Sequence, residues 1–211
     1  VKIRPSRHED MTLTGGRHPF HTRYKAGFDE SGMLIALRLH TWSNAGWCND
    51  LSAPVLDRAI FHADNAYFIP HVEFVGRLAR TNTISNTAYR GFGGPQGMVV
   101  VESIMDRAAR RLGLDPVEIR RQNFYRDAPC NLTHYGQEVT HNRLERITDT
   151  LLTSADYASR RAEIDAFNVN SPWLKRGIGF QAIKFGIAFT NTPMNHAGAL
   201  VLIYADGSVQ L

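Results

Sequence analysis

The chain has 211 residues, of which 43% are hydrophobic and 21% are charged, and its formal net charge is +4. This composition is typical of a soluble globular protein of one or two domains with a sizeable core. The basic residues are spread along the chain without a Lys/Arg block, and no apolar run is long enough to cross a bilayer, so neither a nucleic-acid partner nor a membrane is expected.

The first third of the chain is predicted to be rich in strands. Residues 19–28 and 33–43 alternate apolar and polar positions around the turn residues 29–32, which is the pattern of a β-hairpin. A short helix or turn is predicted over 54–62, and a further strand over 67–80.

Helices are predicted to follow. Met98, Val101, Met105, Ala108 and Leu112 recur at steps of three and four, which predicts one apolar helical face over 95–112. Gly113 ends this helix, and Asp115-Pro116 begins the next with an N-cap and a proline in the first turn. An irregular stretch at 126–141 separates these from two more predicted helices.

The last two predicted helices cover 143–154 and 157–168, and strands are predicted over 176–188 and 197–205. The order of strands, then helices, then strands indicates an α+β fold with mixed sheets and packed helices. We expect three parts: a strand-rich part at 1–86, the glycine loop and helices at 87–170, and a strand-rich part at 171–211. Both ends resemble cuts through a larger protein.

Four glycines crowd the loop before the long helix: Gly91, Gly93, Gly94 and Gly97. Such a loop suits either close backbone contact with a ligand or a tight strand-to-helix turn, and both readings stay open. The free N–H groups of a helix start can hold an anion or a polar cofactor. The loop contains neither the dinucleotide-binding G-x-G-x-x-G pattern nor a P-loop.

Other candidate sites are weaker. His18 and His21 lack a third metal ligand, so no metal site is predicted there. Cys48 and Cys130 form no C-x-x-C pair, which favours two reduced thiols in a cytoplasmic protein. No G-x-S-x-G sequence surrounds a serine, so a hydrolase triad is not indicated.

Six stretches in order resemble the xanthine dehydrogenase/xanthine oxidase family of molybdenum hydroxylases, in a bacterial-type molybdopterin-binding subunit. The most specific are TGGRHPF at 14–20, SNTAYRGFGGPQ at 85–96 and KFGIAFT at 184–190, and the others lie at 43–46, 57–62 and 133–137. The resemblance covers essentially the whole chain. It implies that the chain is an internal fragment of the molybdopterin-binding region of a larger enzyme.

The resemblance implies roles for eight residues. Arg58 would face the substrate's exocyclic oxygen and stabilise negative charge on the ring during catalysis. Phe92 and Phe189 would sandwich the substrate heterocycle, with the Thr190 hydroxyl near it. The loop that lies against the molybdenum–molybdopterin cofactor would comprise Ala88, Tyr89, Arg90 and Gly91. The family usually has Phe where Tyr89 stands, and no role is carried onto His196, where it commonly has Gln.

The implied reaction is hydroxylation of hypoxanthine and xanthine to urate. The implied partners are a purine and the iron–sulfur/FAD subunit of an oligomeric parent, with 2Fe-2S clusters and FAD on other chains or segments. The catalytic glutamate would lie upstream of residue 1, so the isolated chain is expected to be inactive and, because its strand edges are exposed, to dimerise or aggregate. The alternatives are an aldehyde oxidase-type hydroxylase, which generally lacks the Arg58 equivalent, and a non-catalytic ligand-binding module.

Overall fold

The computed structural model describes residues 2–211. These residues form six α-helices, five β-strands and a 3₁₀ turn at Thr192–Met194. In chain order the elements are α1 (Arg7–Leu13), β1 (Phe20–Phe28), β2 (Leu34–Gly46), α2 (Ser52–Phe61), β3 (His71–Arg80), α3 (Gly94–Leu112), α4 (Pro116–Gln122), α5 (Leu144–Ser154), α6 (Tyr157–Asn170), β4 (Leu202–Ile203) and β5 (Val209–Gln210).

The main sheet has the order β1-β2-β3 and contains both kinds of pairing. The predicted hairpin is confirmed: β1 runs antiparallel to β2, and Gly32 takes the positive φ of +95° that the connecting turn requires. The Asp29 carboxylate accepts backbone N–H bonds from Ser31 and Met33 and fixes that turn. β3 then runs parallel to β2, with α2 as the crossover, so the predicted α+β fold with a mixed sheet is confirmed.

The core lies between this sheet and α3. Val101 and Met105 of α3 share a buried cluster with Leu37 and Leu39 of β2, and none of these four is more than 3% exposed. Burial of these four side chains contributes about 1.5–3 kcal/mol each to the free energy of folding and stabilises the packing of the helix on the sheet. The predicted apolar face of α3 is therefore confirmed, except that Leu112 at its end is 37% exposed.

A buried ion pair joins α3 to its neighbours. Arg120 of α4 donates to Glu102 at 2.8 Å, and both side chains are less than a tenth exposed. The other carboxylate oxygen of Glu102 accepts from the amide of Asn65 at 2.7 Å and the hydroxyl of Tyr67 at 2.6 Å. Both carboxylate oxygens of Glu102 thus accept hydrogen bonds, which is the condition under which a buried charge is tolerated.

The C-terminal part differs from the prediction. The strands predicted over 176–188 and 197–205 are wrong apart from the two-residue β4, and the part at 171–211 is not strand-rich. A strand needs a neighbouring backbone ladder. Residues 182–186 are instead held by the side chains of Asn65 and His62, so the apolar pattern there reflects docking rather than sheet pairing. Within residues 2–211, no helix is both long enough and apolar enough to cross a membrane.

Candidate functional site

The site is assembled where α2 crosses the start of α3. A side chain at Gly93 would overlap the carbonyl oxygen of Val55, and one at Gly97 would overlap that of Ala59. Two of the loop's glycines are therefore explained by close helix packing rather than by access to a ligand. The same closeness brings Arg58, which lies between Val55 and Ala59 on α2, next to the glycine loop.

The glycine loop makes three successive left-handed residues. Gly91, Phe92 and Gly93 have φ values of +89°, +49° and +97°. Glycine adopts these values freely, whereas a bulky side chain such as Phe92 is a genuine outlier there. The Phe92 ring lies against the ring of Phe189, with centroids 5.0 Å apart and planes tilted by 44°.

The start of the loop presents unused donors. Among residues 2–211, the backbone N–H groups of residues 88–91 donate to no other group, and Ala88, Tyr89 and Arg90 are exposed. The helix start beside them offers less than predicted, because the Gly94 and Gly97 N–H groups bond to Gly91 and Gly93 and Pro95 has none. Most of the unused donors thus belong to the loop rather than to the helix start.

Arg17 holds this loop in place and was not selected from the sequence. Its guanidinium donates to the Arg90 carbonyl at 2.6 Å and lies over the Tyr89 ring, 4.5 Å from the centroid. The turn that carries it is bound to the loop by a backbone bond from Thr87 to Gly16 at 3.0 Å. The TGGR turn at 14–17 was evident in the sequence as a glycine turn, but its contact with a loop 70 residues later was not.

Arg58 is buried and has no carboxylate partner. The residue is 4% exposed, and no acidic group among residues 2–211 lies within ion-pairing distance of its guanidinium, its chain neighbour Asp57 included. It donates to the carbonyls of Gly186 and Ala188, and its guanidinium lies 5.1 Å from the centroid of the Phe185 ring. Its Nε is buried and unpartnered, and burial lowers its pKa.

The segment that carries Phe189 and Thr190 is fastened to α2. The Thr190 hydroxyl donates to the Pro54 carbonyl at 2.8 Å. Asn195 closes a small loop by exchanging hydrogen bonds with the backbone of Phe189 at 2.8 and 2.7 Å. Arg58, Phe92, Phe189 and Thr190 therefore converge on one place, as the resemblance implied, although their roles stay predictions. His196 is exposed beside them.

His62 is a second residue that sequence reasoning did not select. Its Nε2 accepts the Gly186 N–H at 2.9 Å, which leaves the proton on Nδ1, where it donates to the Arg58 carbonyl at 3.0 Å. Burial lowers its pKa, and the nearby charges of Arg58 and Lys184 add to this effect. The neutral imidazole is thus a bridge between α2 and the segment at 184–190.

The described residues do not form a metal-ligand cluster of their own. In the range 2–211, no three His, Cys, Asp or Glu side chains are grouped as a metal would require. Cys48 is exposed, Cys130 is half-buried, and both are free thiols.

Comparisons with known proteins identify the family of the chain. Residues 1–124 match a family described as a molybdopterin cofactor-binding domain, and residues 150–211 match a second family with the same description. The chain is 47% identical to the xanthine dehydrogenase/oxidase of Felis catus and 44% identical to the xanthine dehydrogenase of Dictyostelium discoideum. These matches cover 100% and 99% of the chain, but only 16% and 15% of those proteins.

A solved structure has a similar fold. The aldehyde oxidoreductase of Desulfovibrio gigas is 30% identical with a TM-score of 0.65, over 74% of this chain and 17% of that one. Since the first family match alone covers more than half of the residues, the chain belongs to the molybdopterin cofactor-binding domain family.

Proposed function

We propose that this chain forms one wall of the substrate site in a molybdenum hydroxylase that converts hypoxanthine and xanthine to urate. The observation that carries the proposal is the Phe92–Phe189 ring pair beside the buried, carboxylate-free guanidinium of Arg58. Two aromatic faces and a fixed positive charge suit a flat heterocycle whose ring becomes negative in the transition state. The similarity to xanthine dehydrogenases supports this choice of substrate.

The exposed loop at 88–91 fits a molybdopterin cofactor. Four unused N–H donors lie in a row, and the guanidinium groups of Arg17 and Arg90 are close by. The polar edge of a pterin and its phosphate need such donors and positive charge. When bound, the cofactor would supply the two-electron oxidation at its molybdenum, while the loop would hold it and set its distance from Phe92.

The two phenylalanines would orient the substrate. A planar ring between two others needs about 3.5 Å on each side, so the rings must open from the present 5.0 Å to about 7 Å between centroids. Phe189 lies on a segment without strand pairing, which allows this movement more readily than the packed start of α3 does. Thr190, beside it, would contribute a hydroxyl at the edge of the site.

Arg58 would exchange partners when substrate binds. Its two terminal nitrogens now donate to the Gly186 and Ala188 carbonyls. A substrate oxygen that develops negative charge is a stronger acceptor than a neutral carbonyl, so it would compete for these donors. The buried position lowers the local dielectric and strengthens that interaction.

The proposal includes partners that this chain lacks. Iron–sulfur and FAD segments of the parent enzyme would carry electrons away, and packing against other parts of an oligomeric assembly would cover the exposed apolar side chains of the C-terminal part. Trp173 is 95% exposed and Ile187 is 90% exposed, which is unusual for such large apolar groups. The free thiols of Cys48 and Cys130 suit a cytoplasmic location.

The test compares two substrates in the complete protein encoded by the reading frame that contains this chain. We expect Arg58→Met to lower kcat/KM for xanthine by about 10²–10³, the loss typical of one donor to a developing negative charge. For propanal, which has no exocyclic ring oxygen, we expect less than about threefold loss. The control is Arg38→Met, which breaks an exposed ion pair with Glu73 and should change neither value.

The outcomes also separate the alternatives. Equal losses for both substrates would refute the assignment of Arg58 to the purine. Fast oxidation of propanal with no oxidation of xanthine would favour the aldehyde oxidase-type enzyme. Binding of xanthine by a protein that contains no molybdenum when fully assembled would favour a non-catalytic binding module.

A further inference from the structure

We propose that Asp64 and Lys184 form a buried latch that positions Phe189 and Thr190, and that both are positioning residues for the substrate site. The inference rests on the proposed function. It begins from an observation that the proposed mechanism does not use: a buried cluster of charged and aromatic side chains behind the segment at 182–190.

The latch is a close, buried ion pair. Asp64 is 1% exposed, and its Oδ2 lies 2.7 Å from Nζ of Lys184, whose side chain is 18% exposed. The Tyr125 hydroxyl donates to the same oxygen, and the buried His134 ring lies 3.6 Å away. The ammonium group also lies 4.8 Å from the Tyr125 ring centroid and 5.5 Å from that of Tyr135. Lys184 is therefore fixed from several sides.

The latch acts where the segment has no backbone ladder. Residues 182–190 form no strand. The neighbouring contacts at their start are neutral hydrogen bonds: the Asn65 amide donates to the Ala182 carbonyl, and the backbone N–H groups of Lys184 and Gly186 donate to the Asn65 amide oxygen and to His62 Nε2. Losing one neutral bond removes a modest interaction, whereas losing one partner of a buried ion pair leaves an uncompensated charge in the interior. The pair at position 184 thus has a larger influence on where the segment lies than any one of these neutral bonds.

The position of Phe189 follows from this anchor. The chain has five residues between Lys184 and Thr190, and Thr190 is tied to α2 through Pro54. If Lys184 is released, the segment keeps only its neutral hydrogen bonds to Asn65 and His62 and its attachment at Thr190. Its remaining charged contact is with Arg58, the side chain that substrate must recruit. The spacing between the Phe92 and Phe189 rings then depends on substrate itself, and a misplacement of about 1 Å is enough to reduce turnover about 10²-fold.

The experiment uses the complete protein and the variants Asp64→Asn, Lys184→Met and the double variant. The matched control is Lys175→Met, because Lys175 bonds only local carbonyls of Asn168 and Ser171 at an exposed turn. Two quantities are measured: hydrogen–deuterium exchange of peptides that cover 182–190, and the ratio of kcat/KM for xanthine to kcat/KM for propanal. The ratio cancels any loss of folded or cofactor-loaded protein.

We expect exchange over 182–190 to rise at least tenfold in both single variants, and the ratio to fall at least tenfold because propanal does not need two ring faces. The double variant should show no greater change in exchange or in the ratio than the more affected single variant, because the effects of removing two partners of one interaction do not add. Lys175→Met should keep both quantities within about twofold.

Three results would overturn the latch: unchanged exchange, raised exchange with an unchanged ratio, or additive losses in the double variant. The second is what a purely stabilising role predicts. If the wild-type protein oxidises no xanthine, the proposed function fails and the inference falls with it. If the wild type is active and the variants keep its ratio, only the inference fails.

Discussion

Replacing Gly97 by alanine tests whether the glycines of the loop serve helix packing. A Cβ at this position would overlap the Ala59 carbonyl oxygen and lie 3.0 Å from its carbonyl carbon, where ordinary contacts begin at 3.4 Å. The obstacle is backbone, so α2 and α3 must separate by at least about 0.4 Å for the carbon alone. Overpacking costs about 1–3 kcal/mol, and a clash with backbone, which cannot rotate away, falls in the upper part of that range at about 2–3 kcal/mol. The better helix propensity of alanine returns about 1 kcal/mol.

We therefore expect Gly97→Ala to lower the free energy of unfolding of the chain by about 1–2 kcal/mol, which is about 2–8 °C in Tm for a domain of this size. The measurement is thermal unfolding followed by circular dichroism. Gly177→Ala is the control, since a Cβ there would meet nothing within 4 Å. If Gly97→Ala were as stable as the control, the helices would not need their close approach, and ligand access would again be the better explanation of this glycine.

Three further predictions concern single residues. Glu102→Gln should lower the free energy of unfolding by about 3 kcal/mol in urea titrations, because it removes the buried carboxylate partner of Arg120 and leaves only the exposed Asp106. His62→Gln should flatten the loss of stability between pH 7 and 5: burial lowers the folded pKa, so the unfolded chain takes up a proton first and stability falls as pH drops below about 6.5. Arg17→Met should reduce molybdopterin retained by the purified complete protein at least tenfold, measured by pterin fluorescence, because it frees the loop at Arg90.

Each of these predictions has its own contrary result. A Glu102 variant as stable as the exposed Asp106→Asn would mean that the buried pair contributes little. An unchanged pH profile in the His62 variant would mean that the imidazole is protonated as easily in the folded chain as in the unfolded one. Full cofactor content in the Arg17 variant, equal to that of the exposed Arg23→Met, would remove the loop from the proposed cofactor site.

Local chemistry made much of the fold predictable. The turn at 29–32 carries its own signature, because the Asp29 side chain and the positive φ of Gly32 complete the hairpin without help from the rest of the chain. The long helix α3 is equally self-contained, since its apolar period and the Gly113 stop are both local. Both features depend only on residues that are close together in the sequence, and they can therefore be predicted from it.

The site was less predictable because its contacts join distant parts of the chain. His62, Asp64 and Asn65 hold a segment about 120 positions later, and nothing in their local sequence indicates the partner. These distant contacts also explain why the strand predicted at 176–188 is wrong. The segment has the apolar pattern of a strand, but it packs against side chains of α2 and of the turn after α2 and not against another strand. The roles of Arg58 and Phe189 came from a resemblance, and the structure adds their convergence.

Phe92 is the residue of the loop whose identity packing explains least. Its φ of +49° costs a bulky side chain about 1–2 kcal/mol, and a glycine there would avoid the cost, as Gly91 and Gly93 do on either side. The tilted contact with Phe189 is worth about 0.5–1.5 kcal/mol beyond buried area, which at best offsets the strain. Backbone strain that a glycine would relieve, but that the sequence keeps, is characteristic of binding and catalytic residues. The strained backbone at Phe92 is therefore consistent with the proposed role of its ring in holding a ligand.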